Sequence, residues 1–389
     1  MIHVRTIGVL GGGQLGRMLT LEAKRMGYRV VTLEPFPDSP CGQVADEQIV
    51  AAYDDARAVG ELGARSDVIT YEFENIPLES ALLLERDGRM VRPNSEALRI
   101  TQDRLLEKTF LREARCPTVE FAPIRKPEEL DVALADVGLP AVFKTVRGGY
   151  DGKGQWLVRS FHEAAAAVED ARGQALICER FVEFDREVSL ISSRGADGHT
   201  VRFPVTENVH DTGVLVTTIV PARVSAVIEE KVCEAARRIG DGLGIVGTYC
   251  VEFFVVGQDV YVNEIAPRVH NSGHFSLDAT QISQYEAHVR AICDLPLVEP
   301  RLFAPAVMMN ILGDGAGDDL AGIDDVLRDP DLKLHLYGKR HAALRRKMGH
   351  FTVLGRTTED ALDRATRAKA ALSWTPPLRT KAIAVALES

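Results

Sequence analysis

No apolar run in this chain approaches the ~20 residues needed to span a bilayer. No secretory signal is visible either: Met1-Ile-His-Val-Arg-Thr runs straight into a strand. The six cysteines, Cys41, Cys116, Cys178, Cys233, Cys250 and Cys293, form no C-x-x-C pair. Their scatter speaks against a disulfide frame or a cysteine zinc site and fits reduced thiols, so the cytoplasm is the expected location. Positive charge is in short supply: 46 Lys+Arg against 56 Asp+Glu leaves a net −10. That balance argues against nucleic acid and against an anionic membrane surface as partners. Local basic clusters still suit a small anionic substrate. Internal repeats and low-complexity tracts are missing. So is a Walker A loop, because Gly154 rather than Ser or Thr follows Lys153 in the glycine-rich stretch.

What remains is length with an ordinary globular balance. A chain of 389 residues, 46% hydrophobic and 26% charged, exceeds one core and predicts two or three domains. The first part alternates: a strand at Thr6–Leu10, a turn from Gly11 to Gly16, a helix over 17–26 closed by Gly27, a strand over 29–33 and another at Val68–Tyr71. This order implies a parallel sheet with helices on its faces. A polar helix over 95–112 leads out of it. A small α+β unit starts near Cys116-Pro117. It holds a strand ending at Lys144, a glycine-rich loop, a strand over 156–158, a helix over 163–171 and a strand over 175–181. The last unit opens with a strand over 187–192. The fold class expected is α/β with α+β. Its division is a Rossmann-like domain (1–105), a small lid domain (106–185) and a mixed-sheet domain (186–389).

The chemistry concentrates in a hairpin. Two β-branched and aromatic runs flank Gly257-Gln258-Asp259. A turn centred on Gln258 sets Glu252 opposite Glu264 on one face of the sheet. Two carboxylates that close are unfavourable unless a cation lies between them. Mg²⁺, or Mn²⁺ in its place, takes one or two carboxylates plus substrate phosphates. The plain alternative is a solvated sheet face, but the Val, Phe, Tyr and Ile neighbours favour a cleft. Arg268, His270, Asn271 and His274 crowd the loop that follows.

Gly11-x-Gly13-x-x-Gly16 follows a strand and opens a helix, so its amides suit a phosphate or another polar group. With Glu34 ending the second strand, it permits a nicotinamide-dependent dehydrogenase. Lys144 precedes a second loop, Arg147-Gly148-Gly149-Tyr150-Asp151-Gly152-Lys153-Gly154-Gln155. Its four glycines within seven residues cost chain entropy that a mere connector has no need of. Such a loop folds over phosphates, with Lys144 and Lys153 as point charges. Glu179-Arg180-Phe181-Val182 ends a strand that offers backbone groups to an adenine, and Glu187 comes next for ribose hydroxyls. A solvated strand edge reads the same way. Arg345-Arg346-Lys347 suits a phosphate monoester or is a solvated charge run. His3, His162, His199, His288, His335 and His341 read as structural. A non-catalytic nucleotide sensor is a third class, disfavoured by the complete charge set.

Together these residues resemble the ATP-grasp superfamily: a strand lysine, a glycine-rich lid, Glu-x-x-Val and two metal glutamates, in that order. Closer still is the resemblance to the 5-(carboxyamino)imidazole ribonucleotide synthases, the ATPase subunit of phosphoribosylaminoimidazole carboxylase. It rests on Gly-Gly-Gly-Gln-Leu-Gly-Arg-Met, Tyr-Glu-Phe-Glu-Asn-Ile-Pro, Gly-Gly-Tyr-Asp-Gly-Lys-Gly-Gln, Asn-Glu-Ile-Ala-Pro-Arg-Val-His-Asn-Ser-Gly-His and Arg-Lys-Met-Gly-His. It spans Gly8 to His350.

The resemblance implies a purine-pathway ligase in which ATP, bicarbonate and 5-aminoimidazole ribonucleotide give the carbamate, ADP and phosphate through carboxyphosphate. It implies that Arg104, Lys144, Lys153, Glu179, Val182, Glu187, His210 and Asn263 contact ATP. The stretches from Gly149 to Gln155 and from Glu179 to Val182, Arg180 and Phe181 included, would line the nucleotide. Glu252 and Glu264 would hold Mg²⁺, and Arg268 would steady bicarbonate or the phosphoryl group with His270 nearby. Lys153 joins Arg268 and His270 in the catalytic set. Gln14, Leu15, Glu74, Tyr150, Asp151, Asn271 and His274 would surround the ribonucleotide, with Lys339, Arg346 and Lys347 on its 5′-phosphate. A homodimer is implied, with the product passing to the carboxyaminoimidazole ribonucleotide mutase. Leu344-Arg345 departs from the family's Pro-Gly. A formate-dependent glycinamide ribonucleotide transformylase shares the fold and is the nearest rival.

Overall fold

Ile7, Val9 and Leu10 are fully buried and fix the first strand in the core. They belong to a computed structural model that describes residues 4–149 and 153–376. Strand β1 (Thr6–Leu10) leads to helix α1 (Gln14–Arg25), β2 (Arg29–Glu34), β3 (Glu47–Val50), α2 (Ala56–Arg65) and β4 (Val68–Tyr71). The four strands form a parallel sheet in the order β3-β2-β1-β4. Helix α1 begins three residues earlier than periodicity predicts. The Glu72 carboxylate accepts from Gly13 N–H and Gly16 N–H, and so caps the helix from outside its own sequence.

Helix α3 (Leu78–Arg86) follows, and then the expected helix over 95–112 appears as two, α4 (Ser95–Thr101) and α5 (Arg104–Glu113). Asp103 makes the break: its side chain accepts from Leu105 N–H and Leu106 N–H at 3.1 and 3.2 Å, an N-cap that outcompetes continuation of the helix. The break sets Arg104 at the first turn of α5.

The small unit contains β5 (Phe121–Ile124), α6 (Leu130–Val137), β6 (Ala141–Thr145), β7 (Gln155–Val158), α7 (Phe161–Asp170) and β8 (Leu176–Arg180). Its sheet is antiparallel, in the order β5-β8-β6-β7. Ala122, Ile124, Phe143, Leu176 and Cys178 fill the space beneath it.

The last unit opens with β9 (Arg186–Arg194), β10 (Thr200–Arg202), β11 (Thr206–Asp211), β12 (Val214–Val220), α8 (Ala226–Gly242), β13 (Gly247–Val256) and β14 (Asp259–Ala266). It continues with α9 (Ser276–Ala279), α10 (Gln284–Ile292), β15 (Ala306–Leu312), β16 (Asp319–Ala321), α11 (Ile323–Val326) and β17 (Leu332–Leu336), then β18 (Lys347–Leu354), α12 (Thr358–Ala371) and β19 (Ser373–Thr375). Nine strands form one sheet, β14-β13-β9-β11-β12-β15-β18-β17 with β10 on β9, while β16 pairs with β19. Ile228, Val232, Ala236 and Ile239 of α8 join the core with Val251 and Phe253 of β13. Among the described residues no helix is long and apolar enough to cross a membrane.

The departure at Leu344-Arg345 leaves the turn intact. Arg346 N–H donates to Ala343 O at 3.0 Å, and Arg345 has φ 63°. This is the third position of a type II turn, where glycine is the unstrained residue. An arginine fills it, with its guanidinium bonded to the Asp211 carbonyl.

Candidate active site

The parallel sheet, the small sheet and the nine-stranded sheet all contribute to one cavity of about 750 Å³. Gln14, Leu15 and Glu74 line it from the first unit, and Arg104 from α5. Lys144, Gly149, Gln155, Glu179, Arg180, Phe181 and Val182 line it from the small unit. Glu187, His210, Glu252, Asn263, Glu264, Arg268, His270, Asn271 and Lys347 line it from the last unit. Lys153, Gly154, His274, Lys339 and Arg346 are not on this wall. Tyr150, Asp151 and Gly152 lie outside the described residues.

The two glutamates do face each other, by a different route from the one the turn predicts. The turn is two residues, Gly257-Gln258, and Val256 pairs with Asp259. That register alone would set Glu252 against Asn263. A bulge between Glu252 and Phe253 shifts β14 by one residue and pairs Glu252 with Glu264. Asn263 and Glu264 thus both reach the cavity wall. Burial and the neighbouring Glu264 push Glu252 up to about 7. A buried carboxylate with a second one opposite it fits a divalent cation as the missing partner of both.

His270 stands beside this pair. Its Nδ1 accepts from Ser272 N–H at 3.3 Å and meets Ser272 Oγ at 2.9 Å. The ring proton therefore belongs on Nε2, which lies 3.4 Å from Glu252 Oε1. Burial, then Arg268 and Lys347, hold the imidazole well below its ordinary range, so it is neutral and stands next to Glu252 without adding a charge.

On the nucleotide side Lys144 Nζ donates to Glu179 Oε2 at 2.8 Å and approaches Asn263 Oδ1 at 3.4 Å. Arg104 reaches Glu264 at 3.4 Å and the Gly149 carbonyl at 3.5 Å. Glu187 and His210, on neighbouring strands, are hydrogen-bonded. Burial works to raise the Glu179 carboxyl, but Lys108, Lys144 and Arg104 outweigh it and bring it from 4.5 to about 2. A depressed folded value stabilises fully above the unfolded value and is lost as pH falls through the folded one. The stabilisation is about 3 kcal/mol. Glu179→Gln is therefore expected to be less stable than the wild type at pH 7, with the gap closing between pH 4.5 and about 2. Urea unfolding at several pH values checks this; a gap independent of pH would contradict it.

On the opposite side the Arg268 guanidinium is bonded to Glu74 and donates to Val269 O at 3.0 Å. Asn271 is buried, and both its amide atoms lack a protein partner. Lys347 is at the wall, Lys339 Nζ donates to the Lys347 carbonyl at 2.7 Å, and Arg346 donates to the His341 carbonyl at 3.0 Å. His274 is only 1% exposed and is hydrogen-bonded to Tyr285 OH through Nδ1 at 3.0 Å, so it stands behind the wall. It belongs to a ring stack with His350 and, beyond that, His335, whose Nε2 bonds Asp278 at 2.9 Å. Asp278, His335 and His350 bring three potential metal donors within 4.8 Å. The His335 and His350 planes are only 13° apart with centroids 4.6 Å apart, so their lone pairs lie in separate, nearly parallel planes, a poor arrangement for meeting on one ion. His335 is thus part of a packed hydrogen-bonded cluster, and the structural reading of His288 also fits: it bonds Thr70 Oγ1 and Thr248 N–H.

The first glycine loop is already filled from within. Gly12 N–H donates to Glu34 at 2.9 Å, Gly13 and Gly16 donate to Glu72, and Tyr53 OH bonds Glu34. The amides that would take a dinucleotide phosphate hold carboxylates, and Glu34 is turned into the loop rather than left for a ribose. The dehydrogenase reading loses its site. A Cβ at Gly13 would meet Glu72 Oε1 at 2.5 Å, whereas one at Gly60 meets nothing within 4 Å. Gly13→Ala is expected to lose about 1–3 kcal/mol by overpacking, and Gly60→Ala to gain up to about 1 kcal/mol by helix propensity. Thermal unfolding of both checks this; equal shifts would contradict it.

Four contributors escaped the sequence reading. Gln102 holds the Glu74 and Ile76 carbonyls at 2.6 Å. Phe184 and Phe254 stack at 4.7 Å on the cavity wall. Glu107, buried on α5, lines the cavity beside Arg104. Only Phe184, two residues past Val182, had a usable positional signal.

Residues 4–102 match the ribonucleotide synthetase preATP-grasp domain, 109–285 the ATP-grasp domain and 306–364 the phosphoribosylaminoimidazole carboxylase C-terminal domain. The N5-carboxyaminoimidazole ribonucleotide synthase of Bacillus subtilis is 42% identical over 368 residues, covering 92% of this chain and 94% of that one. That of Brucella melitensis is 45% identical over 353 residues, covering 89% and 95%. Among solved structures, the Staphylococcus aureus N5-carboxyaminoimidazole synthetase with ADP has a TM-score of 0.88 at 39% identity, covering 94% of this chain and 97% of that chain. The Aspergillus clavatus synthase with ADP and 5-aminoimidazole ribonucleotide has a TM-score of 0.88 at 30% identity, covering 95% and 99%. With the ATP-grasp fold and its cleft in place, the chain belongs to the N5-carboxyaminoimidazole ribonucleotide synthase family.

Proposed function

We propose that this chain is an ATP-dependent ligase. It carboxylates the exocyclic amine of 5-aminoimidazole ribonucleotide with bicarbonate, releasing ADP and phosphate, in purine biosynthesis. The observation that carries this reading is the composition of one cavity: nucleotide-side Lys144 and Arg104, the Glu252/Glu264 pair, Arg268, and the unpartnered Asn271 amide. Glu252 and Glu264 would hold Mg²⁺, which supplies charge neutralisation at the transferring phosphoryl group. Lys144 and Arg104 bind the phosphates, with Lys153 closing over them from the glycine-rich loop. Phe181, Val182 and the Phe184–Phe254 stack offer an apolar wall to a base.

Bicarbonate attack on the γ-phosphoryl group gives carboxyphosphate and ADP. Phosphoryl transfer asks the protein mainly for positioning and charge stabilisation. Arg268, clamped by Glu74, presents a fixed cation to the anion. The ribonucleotide would lie between Gln14, Leu15, Glu74 and Asn271, with Tyr150 and Asp151 assigned to it by resemblance. Lys347 takes the 5′-phosphate, with Lys339 and Arg346 drawn in from behind. The amine then attacks the carboxyl carbon, phosphate leaves, and the closed site protects the mixed anhydride from water. His270 acts through Glu252, and His274 acts behind Asn271.

The division at 105 and 185, the cytoplasmic location, a homodimeric state and delivery of the product to the mutase belong to the same reading. ADP release with Mg-ATP decides it, adding 5-aminoimidazole ribonucleotide and bicarbonate singly and together, with glycinamide ribonucleotide plus formate as the rival pair. Turnover that needs the first pair is expected. Turnover only with the rival pair would transfer the site to a transformylase.

A further inference from the structure

Strand β14 lies at the edge of the nine-stranded sheet, so its outward polar groups have no further strand to pair with. Pro117 O takes Val262 N–H at 2.8 Å, and helix α5 holds the groups on either side of the bulge. Lys108, 1% exposed, sends its ammonium to the carbonyls of Val262 and Asn263 at 2.9 and 3.0 Å. Its neighbour Glu107, 3% exposed, accepts from Ile265 N–H at 3.1 Å. These three bonds bracket Asn263 and Glu264, the two residues at which the bulge shifts the register. A buried lysine and glutamate are costly to keep in a core, and apolar side chains would pack α5 against β14 equally well. What apolar side chains would not do is hold the backbone of a bulge, which has no regular ladder to fix it. Glu107 also lines the cavity and keeps one buried oxygen without a partner.

We propose that Glu107 and Lys108 are positioning residues: they fix the β14 bulge that turns Asn263 and Glu264 into the cleft, and thereby set the affinity of the Glu252/Glu264 site for a divalent cation. The inference rests on the metal reading of that glutamate pair. Neither residue touches the cation; both act through the backbone of 262–265.

The test is calorimetric titration of the full chain with ADP, once in EDTA and once in saturating Mg²⁺. The readout is the factor by which Mg²⁺ tightens ADP binding. Wild type is expected to show a clear factor, and Glu264→Gln to lose it. Lys108→Met is expected to lower the factor at least ~10-fold, in the range for residues that orient metal ligands, beyond any loss of ADP affinity in EDTA that follows from its charge near Glu179. Should Lys108→Met fail to fold, Glu107→Met removes the bond to Ile265 N–H, together with a buried charge near Lys108, Arg104 and Glu264, leaves the two Lys108 bonds in place, and is expected to lower the same factor. An unchanged factor in the folded variant, with Glu264→Gln still losing it, overturns the positioning role and leaves the metal reading standing. Equal loss of ADP affinity with and without Mg²⁺ also overturns it, as the signature of general damage. A wild type with no Mg²⁺ factor overturns the metal reading, and the proposal with it.

Discussion

Glu264→Gln is expected to cut ADP release in the presence of bicarbonate and 5-aminoimidazole ribonucleotide by about 10²–10³-fold or more, the loss seen when one group that stabilises transition-state charge is removed. The fold should survive. Glu264 is the more exposed of the pair, its side chain 41% accessible, and its ion pair to Arg104 is 3.4 Å long. Neutralising it also removes a like charge opposite Glu252, whose carboxyl is pushed up to about 7 by burial and then by Glu264 itself. Stability is therefore expected to change by no more than about 1 kcal/mol. Turnover and thermal unfolding on the same preparation separate the two effects. Unchanged turnover at saturating Mg²⁺ would remove the pair from the metal site. A collapse in stability would make it structural.

Lys347→Ala is expected to raise KM for the ribonucleotide by ~30-fold or more, the cost of truncating one partner of a desolvated charge pair, with KM for ATP nearly unchanged. The asymmetry follows from position. Lys347 opens β18, while the nucleotide-side cations Lys144 and Arg104 come from β6 and α5. Lys339 donates to the Lys347 carbonyl, so the two lysines are coupled through the backbone as well as by charge. Steady-state kinetics with each substrate varied in turn reads the split. Equal rises in both KM values would take Lys347 away from the 5′-phosphate.

Much of this was legible because it rests on local chemistry. Thr6–Leu10 and Val68–Tyr71 form as read, since short, largely apolar runs between turn residues suit a buried parallel sheet. The hairpin placed Glu252 opposite Glu264 for an incomplete reason. The turn supplies one register and the bulge the next, and the bulge depends on α5, more than 150 residues away in sequence by the Lys108–Val262 bond. The helix break at Asp103 could have been read, because an aspartate before Arg-Leu-Leu-Glu is an N-cap signal. Its effect on Arg104 could not.

Glu72 shows the limit most plainly. Beside Glu74 in Tyr-Glu-Phe-Glu-Asn it looks like a second substrate acid, yet it is buried in the amides of the first glycine loop while Glu74 clamps Arg268. On an extended strand residues two apart would share a face; strand β4 ends at Tyr71 and the chain bends at Glu72 and Phe73, which sends the two acids to different environments. His274 was placed on the ribonucleotide by its motif, but the short 3-10 turn Asn271–Gly273 carries Asn271 to the wall and leaves the imidazole behind it.

The most direct test of the account uses bicarbonate labelled with ¹³C and ¹⁸O in a single turnover with ATP and 5-aminoimidazole ribonucleotide. Attack of bicarbonate on the γ-phosphoryl group predicts one labelled oxygen in each phosphate released and the labelled carbon in the ribonucleotide product. Phosphate carrying oxygen from solvent water alone, with no label in the ribonucleotide, would contradict it.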